Sequence, residues 1–495
     1  MTGRSTPRAA VIGAGFGGIA AALQLRRAGA EVTVYERADA VGGVWRENSY
    51  PGAACDVPSF LYSYSFAPKL DWSRRFAPQA EIQEYIEDTV DAFGVRQSLR
   101  LGQQLTSAAW DDGAGEWHLE FATGLTATVD ILVAATGQMS TLNLPVIEGA
   151  ESFRGPAFHS ARWDHDVDVT GKDVVVVGTG ASVIQIVPAI ADAARSVTVV
   201  QRSPGYVLEK GDHAYDGPQG RLRSRLRRWQ SYLSKELVVP RLVRWPALVG
   251  PPERRFHREL EQWVPDPELR AKVAPADRYG CKRILVSNDW YRVLQRPDVT
   301  LLDDRVVRMT ESSVVTGSGT EVPADVVVYG TGFRTHAFLE GVAVTGTDGQ
   351  SLAEAWAAGP EAYLGMSVPG FPNFFLVYGP NTNPAWNSVL VLLEWQAQYL
   401  GKVARAWRRR GPFAMSATAK ANAAFTADVQ RRSARSVWVT GCANWFTTAT
   451  GHNTQNWPRL ATAYWWATRR VAWRDYDVRP LDRAQGASSP QLLRR

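Results

Sequence analysis

The chain has 495 residues, 45% of them hydrophobic and 21% charged, with a net charge of +6. That is enough for two or three packed domains, and the composition is that of a globular protein and not of a disordered one. The basic excess comes without a helix-turn-helix, zinc-finger or RNA-binding signature, so nucleic acid is not an expected partner.

In chain order, residues 9–12 read as a buried strand, 13–18 as a glycine-rich turn, 19–28 as a helix and 32–35 as a second strand ending at Glu36. Gly13 permits the tight turn, Gly15 lets a pyrophosphate approach the backbone, and Gly18 lets the helix pack closely. The helix N-terminus then offers free N–H groups to phosphate. A carboxylate at Glu36 can hold both ribose hydroxyls and repels a 2′-phosphate, so this site is expected to take FAD or NAD. Gly42 and Gly43 follow, then Trp45 and the run from Tyr50 to Asp56. A Gly-Gly pair so soon after the acid suits FAD, whose ribityl chain must pass along the backbone.

Residues 131–137 form a strand ending in glycine, followed by Gln138, and residues 326–332 repeat that pattern. Both mark crossings between domains. Between them lies a second strand-turn-helix unit: strand 173–177, the turn Gly178-Thr179-Gly180-Ala181-Ser182, a helix to about 194, and strand 197–200. Val183 stands where a third glycine would be. Arg202 stands where NAD-binding folds place an acid, and its charge suits the 2′-phosphate of NADPH.

The expected fold class is therefore α/β, with two Rossmann-like dinucleotide-binding domains. The NADPH domain (146–329) is inserted into the FAD domain (1–145 and 330–481). Residues 206–277 read as a helical, basic, Trp-bearing insertion, with Arg221, Arg223, Arg225, Arg227 and Arg228 on a solvated helix face. A disordered tail is expected from about 482. Cys55, Cys281 and Cys442 lie far apart, with no CxxC pair and no metal-ligand spacing. A reducing, cytoplasmic setting and no metal are expected. No apolar run approaches the roughly 20 residues of a membrane span.

On these motifs the chain resembles the type I Baeyer–Villiger monooxygenases, within the class B flavin-containing monooxygenases. Gly43, Trp45, Tyr50, Pro51, Gly52 and Asp56 match an early motif of that family. Phe153, Gly155, His159 and Trp163, followed by Asp164, match its fingerprint FxGxxxHxxxW. The likeness runs from residue 11 to about 468. It implies an enzyme dependent on FAD and NADPH that inserts one atom of O2 beside the carbonyl of a hydrophobic ketone, through a C4a-peroxyflavin, giving an ester or lactone. It implies that Arg283 stabilises the peroxide anion and that Asp56 holds Arg283 in place. Lys282 joins Arg202 at the 2′-phosphate, Thr179 and Ser182 belong to the NADPH turn, and Gln138 and Gln185 meet the nicotinamide half. Trp445 bonds the cofactor ribose, and His159 serves a hinge.

Read from the residues alone, Arg283 is a surface or salt-bridge arginine and His159 a satisfied linker histidine. Trp290, Trp386 and Phe446 are candidate cavity walls, or core. Arg459 and Ala54 depart from the family pattern, which leaves the shape of the ketone open. The competing reading is a flavin monooxygenase that oxygenates nitrogen or sulfur, chemistry that does not need Arg283 and Asp56 together. Oligomeric state is not legible.

Overall fold

Residues 174–177 are four consecutive valines. An apolar run without alternation belongs to a parallel strand covered on both faces. In the computed structural model, ten parallel strands build two sheets. In chain order they are β1 (Arg8–Ile12), β2 (Glu31–Tyr35), β3 (Leu99–Arg100), β4 (Ile131–Ala134) and β5 (Ala157–His159), then β6 (Asp173–Val177), β7 (Ser196–Gln201), β8 (Val299–Asp303), β9 (Val326–Tyr329) and β10 (Phe374–Leu376). The structure describes residues 6–439, 442, 444–448 and 450–482. The tail expected to be disordered lies outside these residues from 483 onward.

The first sheet has the order β10-β4-β1-β2-β3 and the second β8-β7-β6-β9-β5, and every pairing is parallel. In each, the chain leaves the central strand (β1 or β6) to one side and returns later to the other. The glycine turns sit at that reversal, beyond the C-terminal ends of the strands, where open α/β sheets bind ligands.

Helix α1 (Phe16–Arg27) follows the first turn and begins three residues before the expected start, because Gly17 and Gly18 are themselves in its first turn. It packs beneath α5 (Val389–Arg410), where a Cβ at Gly401 would stand 3.0 Å from the Gln24 carbonyl. Helix α2 (Val183–Ile190) follows the second turn and stops short of 194, the chain turning over 191–195. Residues 206–277 include α3 (Arg221–Glu236) and α4 (Val239–Val243). Helix α6 (Ala461–Thr468) follows in the second half of the chain, before a last strand at Tyr476–Pro480.

Val183, in place of the third glycine, is accommodated by its neighbour. A Cβ on Gly330 would meet Val183 Cγ2 at 2.1 Å. The space that the turn lacks on α2 is thus supplied by the glycine that ends β9.

Candidate active site

The first turn is built of backbone. Gly13 (φ +106°) has no room for a side chain, since its Cβ would lie 2.6 Å from the Ala135 carbonyl oxygen. The Gly42 N–H donates to the Ala14 carbonyl (3.0 Å), and a Cβ on Gly43 (φ +57°) would stand 3.0 Å from Gly15 Cα. Two glycine segments therefore meet face to face above α1. Buried Glu36 accepts from the N–H groups of Ala14 (2.7 Å) and Ala38 (2.9 Å), which fixes its carboxylate at the end of β2. Trp45 donates to the Tyr62 hydroxyl (3.1 Å) and meets its ring edge-on.

Gln138 is buried where the chain first crosses over. Its Nε2 donates to the carbonyls of Tyr378 and Gly379 (both 3.2 Å), and its Oε1 has no hydrogen-bond partner among the described residues. A buried acceptor left open in this way is a place for a bound group's donor.

At the second turn, Gly178 (φ +110°) lies against Gly330, and Gly180 is open, with nothing closer to its Cβ position than 4.0 Å. Thr179 Oγ1 donates to the Ser203 carbonyl (3.4 Å), and Ser182 precedes α2. Arg202 is exposed and makes no hydrogen bond or ion pair among the described residues. Lys282, distant in sequence, donates to Ser203 Oγ (3.0 Å) and pairs with Asp277 (2.6 Å). The fold thus brings Lys282 to Ser203, the residue that follows Arg202 at the end of β7. Gln185 lies at the seam between the two nucleotide units: its Oε1 accepts from the Tyr50 hydroxyl (3.0 Å) and its Nε2 donates to the Ala54 carbonyl (3.0 Å). Its amide is engaged by the first unit in this arrangement.

Asp56 and Arg283 meet across the same seam, joined by a hydrogen-bonded ion pair through Asp56 Oδ2 and Arg283 Nη2. Burial alone would raise the Asp56 pKa, but Arg283 outweighs it and holds the carboxyl below the usual carboxylate range. Asp56 in turn raises the Arg283 pKa further. Both groups are therefore charged throughout the neutral range. Half-buried Tyr378 stands close to this guanidinium, its phenol pushed up to about 12 by desolvation, which keeps it neutral. Cys55, also buried, is likewise pushed up to about 12 and remains a thiol.

Sequence reasoning missed three features. The first is Lys235, at the end of α3. Burial lowers its pKa, Asp56 opposes that shift, and its Nζ lies 5.8 Å from the Trp386 ring centroid. It lies seven residues beyond the basic run 221–228, within the helical insertion, and no motif marks it. The second is a disulfide joining Cys281 to Cys442, 161 residues apart, with Cα atoms 6.3 Å from each other. It ties the segment of Lys282 and Arg283 to the segment of Trp445, and it corrects the reading of three separate thiols on which the reducing setting rested. No spacing rule reveals a pair that only the tertiary fold brings together. The third is a cavity of about 950 Å³ at the seam, lined by Tyr50, Ala54, Gln185, Lys210 and Arg292 among others. Neither Asp56 nor Arg283 lines it.

The fingerprint residues are structural. A Cβ on Gly155 would stand 2.2 Å from the Asp325 carbonyl oxygen, Phe153 packs beneath the second sheet, and Trp163 meets Phe158 edge-on. His159 Nδ1 accepts from the Ala161 N–H (3.0 Å) while Nε2 faces the Gly332 carbonyl (3.0 Å), and burial lowers its pKa. It is a neutral imidazole that ties its own segment to the second crossing at Gly332. Trp290 is core, and Phe446 and Trp386 pack with Trp445 around α4. The Trp445 carbonyl accepts from Thr335 Oγ1 (3.1 Å). Among the described residues no group of three His, Cys, Asp or Glu is placed to hold a metal, and no helix is long and apolar enough to cross a membrane.

Residues 6–352 match the flavin-binding monooxygenase-like family. A Baeyer–Villiger monooxygenase of Streptomyces coelicolor is 41% identical over 98% of this chain and 95% of its own, and one of Pseudomonas aeruginosa is 36% identical over 95% and 92%. Among solved structures, an oxidized steroid monooxygenase bound to NADP superposes with a TM-score of 0.86 at 28% identity, covering 96% of this chain and all of the other. The chain belongs to the flavin-binding monooxygenase-like family.

Proposed function

We propose that this chain is an FAD- and NADPH-dependent Baeyer–Villiger monooxygenase that converts a hydrophobic ketone into an ester or lactone. The observation that carries the reading is the Arg283–Asp56 pair, a cation of the second nucleotide unit held by a carboxylate of the first. The names of the two bacterial relatives point the same way.

The residues present fit both cofactors. Gly13, Gly15, Gly18 and Gly43 would pass the pyrophosphate and ribityl chain of FAD, and Glu36 would face its ribose. Gly178, Thr179, Gly180 and Ser182 would take the pyrophosphate of NADPH, with Arg202 and Lys282 at its 2′-phosphate. Gln138 would offer its open Oε1 to the nicotinamide half. Bound flavin, reduced by NADPH, supplies the activation of O2. Arg283 holds negative charge on the reacting oxygen, and then on the ketone oxygen as its carbon is attacked, at little reorganisation cost because it is already fixed. Asp56 is a positioning residue: its depressed pKa makes it an anchor for the guanidinium and not a proton shuttle.

A panel of cyclic, aryl, long-chain and steroid ketones with labelled O2 tests the reading: one labelled oxygen is expected in an ester or lactone. Sulfoxide from a thioether, with no ester from any ketone, would replace this reading by the nitrogen- or sulfur-oxygenating one. For Arg202→Ala, the NADPH KM is expected to rise about 10- to 100-fold, from the loss of one charge-assisted contact. The NADH KM should hardly move. Equal losses with both coenzymes would remove Arg202 from the 2′-phosphate.

A further inference from the structure

Helix α3 is folded inside out. Its inward side is polar: Ser224 is buried, and Arg228 Nη1 donates to the carbonyls of Phe60 (3.1 Å) and Ser63 (2.7 Å) while its guanidinium pairs with Glu394 (3.6 Å). Glu236 is buried too, accepting from Asn387 Nδ2 (3.0 Å) and from the N–H groups of Ala461 (3.0 Å) and Thr462 (3.1 Å). These bonds fix which side of the helix faces the protein.

The outward side is apolar. Leu222, Leu226, Trp229, Leu233 and Leu237 recur at steps of three and four and so share one face. They are 73, 54, 61, 54 and 71% exposed. Trp245 and Leu248 extend the exposed set beyond α4, and Leu460, Trp465 and Trp466 add to it from α6. Helix α6 lies beside α3, with the Tyr232 and Thr462 hydroxyls 2.7 Å apart. Of the 15 large hydrophobic residues exposed among the described residues, 10 belong to this region. Scattered exposed leucines need no explanation, but a gathered set marks an interaction surface.

The charge around it has one sign. Residues 221–248 hold eight basic side chains and one acidic one, Glu236, which faces inward. Arg221, Arg223, Arg225, Arg241 and Arg244 are exposed beside the leucines. Arg469 stacks on Trp466 at 3.6 Å and Arg244 lies 5.2 Å from the Trp245 ring, so cations adjoin the tryptophans at the margins. An apolar stripe bordered by arginine and tryptophan is the make-up of a helix that lies in a lipid interface. Two copies of this face would bring like charges together, whereas acidic lipid headgroups would neutralise them.

We propose that the outward face of α3, continued by Trp245 and by Trp465 and Trp466, docks this protein on the surface of an anionic lipid bilayer without crossing it. The helix lies in the plane of the headgroups, its leucines in the acyl boundary and its arginines on the phosphates.

The test is co-sedimentation of the full-length holoprotein with vesicles of phosphatidylcholine alone and of phosphatidylcholine with phosphatidylglycerol. Binding is expected to the second and to be at least about tenfold weaker with the first or in high salt. The double variant Leu226→Glu/Leu233→Glu, with its circular dichroism compared to that of the parent, should lose at least about tenfold in binding yet keep NADPH oxidation with a water-soluble ketone. Should that variant fail to fold, Arg223→Glu/Arg225→Glu, at fully solvated positions, decides the matter by the same loss. No sedimentation with phosphatidylglycerol vesicles would overturn the proposal. So would a concentration-dependent dimer in sedimentation velocity that Leu226→Glu/Leu233→Glu dissolves, which would assign the face to a second copy of the chain.

Discussion

Replacing Arg283 by alanine is expected to leave reduction of the bound flavin by NADPH nearly unchanged while ester formation falls by about 10²- to 10³-fold, the usual cost of removing one preorganised donor from developing negative charge. The separation of the two steps is the point. Hydride transfer needs the coenzyme seated at the second turn, and Gly178, Gly180, Arg202 and Lys282 do not depend on the Arg283 side chain. Oxygen transfer needs a fixed cation, and among the described residues Arg283 is paired with Asp56. NADPH consumption should continue in the variant, with the oxygen released as hydrogen peroxide and not incorporated. Stopped-flow absorbance of the flavin and product analysis from the same preparation read both steps. A reduction rate that falls as steeply as the ester yield would mean that Arg283 seats the coenzyme and does not serve oxygen transfer. Asp56→Asn should fall between the parent and Arg283→Ala, because the guanidinium remains but its orientation is no longer held.

Much of the architecture was legible because it is local. The strand, the glycine turn and the following helix lie within about thirty residues, and each constrains backbone directly: Gly13 and Gly178 adopt positive φ where a side chain would strike a carbonyl oxygen. What was hidden depends on contacts between distant segments. Val183 read as a defect in the second motif, and only the fold shows that Gly330, 147 positions later, makes room for it. Cys281 and Cys442 read as unrelated, since a disulfide is set by the meeting of two loops and not by their spacing. The basic run 221–228 was visible as charge, but its amphipathic sense was not. A helix with arginines on several sides gives no hint that Arg228 turns inward to three backbone carbonyls while the leucines turn out. At the site, Asp56 and Arg283 were named through the family pattern, and their pairing is geometry. Lys235 carried no motif and emerged only from its position beside Trp386 and within the field of Asp56.

Gly18→Ala is expected to have the other large effect, on flavin retention. A Cβ at residue 18 would stand 1.8 Å from the Gly13 carbonyl oxygen, and that carbonyl sits in a turn held by the bond from the Gly13 N–H to the Tyr35 carbonyl (2.7 Å). The start of α1 would have to move away from β1, misdirecting the N–H groups that would face the pyrophosphate and loosening Gly15 from Gly43. We expect FAD affinity to fall by at least about 100-fold, in keeping with the loss of several phosphate contacts at once. The protein should then purify largely without flavin absorbance and unfold at a lower temperature. Gly17→Ala is the matched control. Its Cβ meets Val377 Cγ1 at 2.9 Å and a Leu393 methyl at 3.6 Å, and side-chain ends can shift where a carbonyl cannot. It should keep most of its flavin. Fluorescence titration of each apoprotein with FAD measures the difference, and full occupancy in Gly18→Ala would show that the first turn is not where the pyrophosphate rests.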